Sequence, residues 1–222
     1  MPEKTRLVFL LDVDNTLLDN DFVKDDLGRQ MQGFLSPPDE ERFWALYEEV
    51  RNERDVVDFP LTLERFQEGF SDATAFDRLR HLLMDYRFDR HLYPHALETI
   101  AHLRTIGDAA IVSDGDPVFQ PKKIAEAGIT RAVGGKVFIF THKERSIVEV
   151  IRQMPGDKYI MVDDKRRIIA SLKRDDPARM AGVHVRQGHY AAADAHLEPA
   201  PDVVVDRIGD LRTFSAGDFI PG

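Results

Sequence analysis

Five apolar residues in a row, Leu7-Val8-Phe9-Leu10-Leu11, run straight into two acids one residue apart, Asp12 and Asp14. A run without polar alternation predicts a strand buried on both faces, the condition of a strand inside a parallel α/β sheet. Ligands of such sheets bind beyond the carboxyl ends of the strands. Asp12 and Asp14 stand at that end, and residues two apart on an extended backbone share a face. Both carboxylates therefore reach one small volume, where two like charges call for a cation or a shared proton. The plainer alternative is a solvated turn, since Asp and Asn are common turn residues.

The rest of the chain reads as a helical insertion followed by alternating strands and helices. Residues 22–91 hold no strand pattern. Leu27, Met31, Phe34 and Leu35 fall at helical spacing, and Ser36-Pro37-Pro38-Asp39 predicts a helix start with a capping serine. Phe43, Leu46, Tyr47 and Val50 mark that helix's apolar face. Leu63, Phe66 and Phe70 mark a third helix, and Phe76, Leu79, Leu82, Leu83 and Tyr86 a fourth. From Pro94 a helix is expected to end at Gly107 as a C′ glycine. Strands are predicted at 109–112, 137–140, 159–162, 182–185 and 203–205, with helices between them. That alternation implies right-handed βαβ units and a parallel sheet.

The net charge of −9 argues against a general nucleic-acid binder, which needs a basic face. With no cysteine, disulfides, thiolate zinc sites and cysteine nucleophiles are excluded. No apolar run approaches the ~20 residues that span a bilayer, and no signal-peptide pattern opens the chain. The expectation is a cytoplasmic protein that engages neither membrane nor nucleic acid; its oligomeric state is not legible.

The polar residues of interest collect at strand ends: Asp12 and Asp14, Ser113, Lys143, and Asp163 with Asp164. In an open parallel sheet these ends line one crevice. Carboxylates suit Mg²⁺, and a lysine and a hydroxyl suit phosphate oxygens. Taken alone, Ser113 reads as a turn former, Lys143 as a solvated helix residue, and the acid pair as a helix cap. Lys136 precedes its strand and so faces the wrong end. His142 and His184 read as structural or exposed, and Arg166 and Arg167 as surface charges.

Over essentially its whole length the chain resembles the haloacid dehalogenase superfamily in its aspartate-nucleophile phosphatase form. The resemblance is carried by Asp12-Val13-Asp14-Asn15-Thr16 after an apolar strand, Ser113 in Val112-Ser113-Asp114-Gly115, Lys143 before a helix, and Val162-Asp163-Asp164. It implies a Rossmann-like parallel-sheet core (residues 1–21 and 92–222) and an inserted helical cap (residues 22–91). It implies Asp12 as nucleophile, Asp14 as general acid and base, and Ser113 and Lys143 as ligands of the transferring group. Mg²⁺ would be held by Asp12, Asp14 (through its carbonyl) and Asp164, with Asp163 either completing that shell or orienting the lysine. The chain departs from the pattern twice. Glu144 follows the lysine where proline is usual, and residues 165–169 hold no acid, which implies a more weakly held metal or an altered reaction.

The function implied is a Mg²⁺-dependent phosphohydrolase of a small phosphorylated metabolite. A dehalogenase of the same fold needs neither metal nor Asp14, a phosphomutase passes the same aspartyl phosphate to a sugar hydroxyl, and a degenerate site would leave a non-catalytic phosphoryl binder. A signalling receiver has no helical insertion near its N-terminus and places its acids in another order. Arg42, Arg51, Arg54 and Arg65 are candidates to contact a leaving group.

Overall fold

Six strands carry the architecture: β1 (Leu7–Leu11), β2 (Asp108–Asp114), β3 (Val137–Phe140), β4 (Lys158–Asp163), β5 (Met180–Val185) and β6 (Val203–Val205). They form one sheet in the order β3-β2-β1-β4-β5-β6, with every pairing parallel. The computed structural model describes residues 5–193 and 196–220; the remaining positions within the expected core limits lie outside the described residues.

The unbroken apolar run of β1 follows from its central place. Leu7, Phe9 and Leu11 enter one core cluster, and Val8 and Leu10 enter the other, so each sheet face takes alternate side chains. All five are at most 1% exposed. Full burial of one such side chain contributes roughly 1.5–3 kcal/mol, so β1 anchors both layers.

Four helices follow β1: α1 (Asn20–Met31), α2 (Pro37–Arg54), α3 (Phe59–Gln67) and α4 (Ala73–Met84). Asp19, Ser36, Asp58 and Asp72 cap them, each side chain accepting from a backbone N–H of the first turn. α1 stops at Met31, short of the expected Phe34 and Leu35; the chain turns through residues 32–35, with the Phe34 and Leu35 N–H groups both donating to the Met31 carbonyl, before Ser36 caps α2. α3 likewise stops before Phe70, since Gly69 has φ +79°. The chain leaves and re-enters the sheet layer side by side: Asp19 N–H donates to the His91 carbonyl, Tyr93 N–H to that of Leu17, and Leu18 bridges Leu92. Edge-to-face aromatic pairs continue the contact, with Phe59 and Phe88 both against Phe119 (centroids 5.1 and 5.9 Å).

The sheet layer is completed by α5 (Ala96–Ile106), α6 (Phe119–Glu126), α7 (Ile129–Ala132), α8 (Lys143–Gln153) and α9 (Arg166–Asp175). Gly107 ends α5 in extended backbone (φ −166°), not as a left-handed C′ residue. Its glycine answers to space, because a Cβ there would lie 2.7 Å from the Leu7 carbonyl oxygen. β2 and β4 run further than expected, through Asp114 and Asp163, so Ser113 and Asp163 are strand residues.

From β1 the chain winds outward to β3, then returns across the sheet to β4 and winds the other way. The carboxyl ends of β1 and β4 therefore flank the point where the strand order reverses, the place where such sheets open a crevice.

Candidate active site

Asp12, Asp163 and Asp164 converge at that reversal: one carboxylate oxygen of each lies within 4.8 Å of the others, and all three residues are buried. Adjacent parallel strands ending at one level bring them there. Leu11 pairs with Val162, and Asp12 N–H donates to the Val162 carbonyl at 3.0 Å. Thr16 ties the two loops together, its hydroxyl accepting from Asp164 N–H at 3.1 Å.

Lys143 enters from the first turn of α8 and is 1% exposed. Its ammonium pairs with Asp12 and, at 2.7 Å, with Asp163. Asp114 fixes the start of that helix by accepting the Lys143 N–H at 2.7 Å. Burial opposes the charge on Lys143, but Asp12, Asp163 and Asp114 outweigh it and hold the ammonium above its usual range. Burial pushes the Asp12 carboxyl up to about 6, with Lys143 pulling the other way. Burial, then the charges of Asp163 and Asp12, push Asp164 up to about 9.

The acids differ in what remains free. Asp163 is engaged by Lys143 and by the N–H of Lys165, which it accepts at 2.8 Å. Asp12 keeps one buried oxygen without a partner, and Asp164 keeps both. Buried carboxylate oxygens left unpaired are costly, and oxygen-only donors at this spacing suit a hard divalent cation such as Mg²⁺. The donor set thus fits the metal, with Asp12 and Asp164 offering the free atoms. His184 donates through Nε2 to the Asp164 carbonyl at 3.0 Å, and burial holds its imidazole below the usual range, so it supports the loop as a neutral group.

Asp14 is not one of the three converging carboxylates. Its carboxylate pairs with Lys123 of α6 and accepts from Gln120 Nε2 at 3.0 Å. Gln120 also donates to Ser113 Oγ at 3.0 Å, which links β2 to Asp14. Gly115 permits the approach, since a Cβ there would meet the Gln120 side chain at 2.6 Å. The sequence reading missed Gln120 and Lys123; their spacing of three on a helix after the β2 turn places them on one face. It also missed Lys165.

A cavity of about 470 Å³ lies between the helical layer and the sheet, beside the acid cluster on the side of Asp14, Asp114 and Lys165. Asp14, Lys123 and Lys165 line its floor, and Trp44, Tyr47, Phe59 and Phe88 its walls. Of the four arginines proposed as leaving-group contacts, Arg51 alone lines it. Arg65 pairs with Glu49 and Glu53, Arg42 donates to the carbonyls of Arg65 and Glu68, and Arg54 is exposed. His142 also lines the cavity and stands 3.6 Å from Asp55 across it. Arg167 is exposed as expected, whereas Arg166 is half-buried with its Nε unpartnered, a correction to its reading as a surface charge.

The family model for haloacid dehalogenase-like hydrolases matches residues 7–174. A haloacid dehalogenase-like hydrolase from Burkholderia xenovorans LB400 is 40% identical, with 98% of this chain and 100% of that chain covered and a TM-score of 0.86. An L-2-haloacid dehalogenase from Xanthobacter autotrophicus, with chloropropionic acid covalently bound, is 20% identical (94% and 97% covered, TM-score 0.55). A HAD-hydrolase from Bacillus subtilis bound to magnesium is 15% identical (94% and 97% covered, TM-score 0.59). These last two share the fold. No curated protein gives a match.

Proposed function

The chain belongs to the haloacid dehalogenase-like hydrolases, and from that premise we propose that it is a Mg²⁺-dependent phosphohydrolase of a small phosphorylated metabolite. The observation that carries this reading is Asp14. A second carboxylate, two residues from the nucleophile and held at the cavity by Gln120 and Lys123, supplies a proton-transfer group that carbon–halogen displacement does not need. Residues 22–91 act as a cap over the cavity, which favours small substrates.

Asp12, steered by Lys143, attacks phosphorus with its free oxygen while the bond to the leaving oxygen breaks; the product is an aspartyl phosphate on Asp12. Asp14 gives its proton to the leaving oxygen, then takes one from the water that attacks the same phosphorus and restores Asp12. Lys143 and Ser113 hold the non-transferring oxygens. Asp12 and Asp164, with the Asp14 carbonyl, would hold Mg²⁺, which would supply positive charge to offset the negative charge of the transferring group. Asp163 orients Lys143.

Asp14→Asn should slow hydrolysis of an alkyl phosphate by roughly 10²–10⁴-fold, the usual worth of general acid–base catalysis. A nitrophenyl phosphate, whose leaving group needs no proton, should lose less in its first step. Equal rates for mutant and wild type on the alkyl ester would remove Asp14 from this role.

Metal binding should depend on pH. A carboxyl with a raised folded pKa binds its proton more tightly when folded, so the metal-free protein loses that contribution to stability as pH rises from about 4 towards 9. Mg²⁺ must displace protons from Asp164 and, below about 6, from Asp12. Thermal melts should therefore show a larger Mg²⁺-induced rise in Tm at pH 8 than at pH 5.5. A larger rise at the lower pH, or none at either, contradicts the assignment.

The dehalogenase alternative draws on the Asp12–Lys143 pair, which already gives the nucleophile a buried cation. Release of phosphate or of halide decides between them.

A further inference from the structure

Lys165 stands beside the acid cluster in sequence, and the other two lysines of the site have carboxylate partners. Lys143 is engaged by Asp12 and Asp163, and Lys123 by Asp14. Lys165 precedes α9, anchored by its backbone N–H on Asp163. Among the described residues its Nζ makes no hydrogen bond or ion pair; it stands 5.3 Å from the centroid of the Tyr190 ring. Its side chain lines the cavity with Asp14. No acid stands among residues 165–169, and Lys165 puts a cation directly after Asp164 of the acid cluster.

Resting on the phosphohydrolase reading, we propose that Lys165 is a fixed cation that repels a divalent metal from Asp12 and Asp164 and attracts the phosphoryl group to the same volume. With all three clustered acids ionised, Lys143 and Lys165 leave the cluster with a single net negative charge, which gives a divalent cation little to gain by entering alone. A phosphate dianion drawn to Lys165 restores the negative charge that the metal then neutralises. Metal and phosphate therefore favour each other's binding, and by linkage the coupling is reciprocal. The electrostatics agree in sign: burial works against the charge on Lys165, while Asp12, Asp163 and Asp164 hold its ammonium above the usual range. Tyr190 supports the ammonium through its ring face.

The test is calorimetric titration of the full chain with Mg²⁺ alone and with inorganic phosphate alone, for wild type, Lys165→Gln and Lys165→Arg. Lys165→Gln should bind Mg²⁺ more tightly and phosphate more weakly, each on the order of tenfold, and Lys165→Arg should match wild type in both. Damage to the fold weakens both ligands, so opposite shifts are the signature. Mg²⁺ affinity in Lys165→Gln equal to or below wild type, or unchanged phosphate affinity, overturns the proposal. Phosphate-ester turnover is assayed separately: opposite shifts without turnover sink the phosphohydrolase reading and leave the charge role of Lys165 standing.

Discussion

Asp12→Asn should lower phosphate-ester turnover by roughly 10⁴–10⁶-fold and leave the melting temperature at or above that of the wild type. The two halves of this expectation have separate causes. The amide is nearly isosteric but a poor nucleophile, so chemistry stops. Burial is the largest influence on the Asp12 carboxyl and pushes it up to about 6, so at neutral pH the folded state bears the cost of an ionised, buried group. A neutral amide removes that cost, and Lys143 keeps Asp163 as a partner. Initial rates and a thermal melt on the same preparation check both halves. A mutant that turns over at near-wild-type rate takes the nucleophile's role away from Asp12; one that is inactive because it is unfolded contradicts the electrostatic account.

Lys143→Met should be damaging in the other currency as well. The lysine is fully buried between Asp12 and Asp163, and its removal leaves buried carboxylates without a direct cation contact. Breaking a buried pair on one side costs about 3–5 kcal/mol, which for a chain of this size lowers Tm by roughly 6–20 °C. The sign with pH follows from the acids. Without Lys143 the Asp12 carboxyl rises further above its unfolded value, so the penalty is present at neutral pH and shrinks as pH falls towards about 4. The gap between mutant and wild-type melting curves should narrow from pH 8 to pH 5. A gap that is constant or widens on acidification means that lost packing, not lost charge, dominates.

What was legible in the sequence follows from how local each signal is. The doubly buried β1 could be read because one chain segment carries the whole pattern, and the sheet because strands and helices alternate. Ser113, Lys143, Asp163 and Asp164 could be named because each stands at a strand or helix terminus, which the sheet topology brings to one edge. Lys123 and Gln120 escaped because their importance lies in a contact with Asp14 across more than a hundred residues of chain. Nothing local distinguishes Lys123 from the neighbouring Lys122, which pairs with Glu126. Gly107 was misread for a related reason: the atoms that exclude a side chain there belong to β1, not to its own helix. Arg166 was misread because a charged residue in the first turn of an amphipathic helix is ordinarily solvated.

The central claim is that Asp12 and Asp14 act together on phosphorus at a metal-assisted site. Its most direct test is one assay run in parallel on a panel of phosphorylated metabolites and on 2-chloropropionate, with Mg²⁺ and with EDTA. The account predicts release of inorganic phosphate that needs Mg²⁺, stops with EDTA and returns when Mg²⁺ is restored, with no chloride released. Chloride release that persists in EDTA, with no phosphate released from any ester, would contradict it.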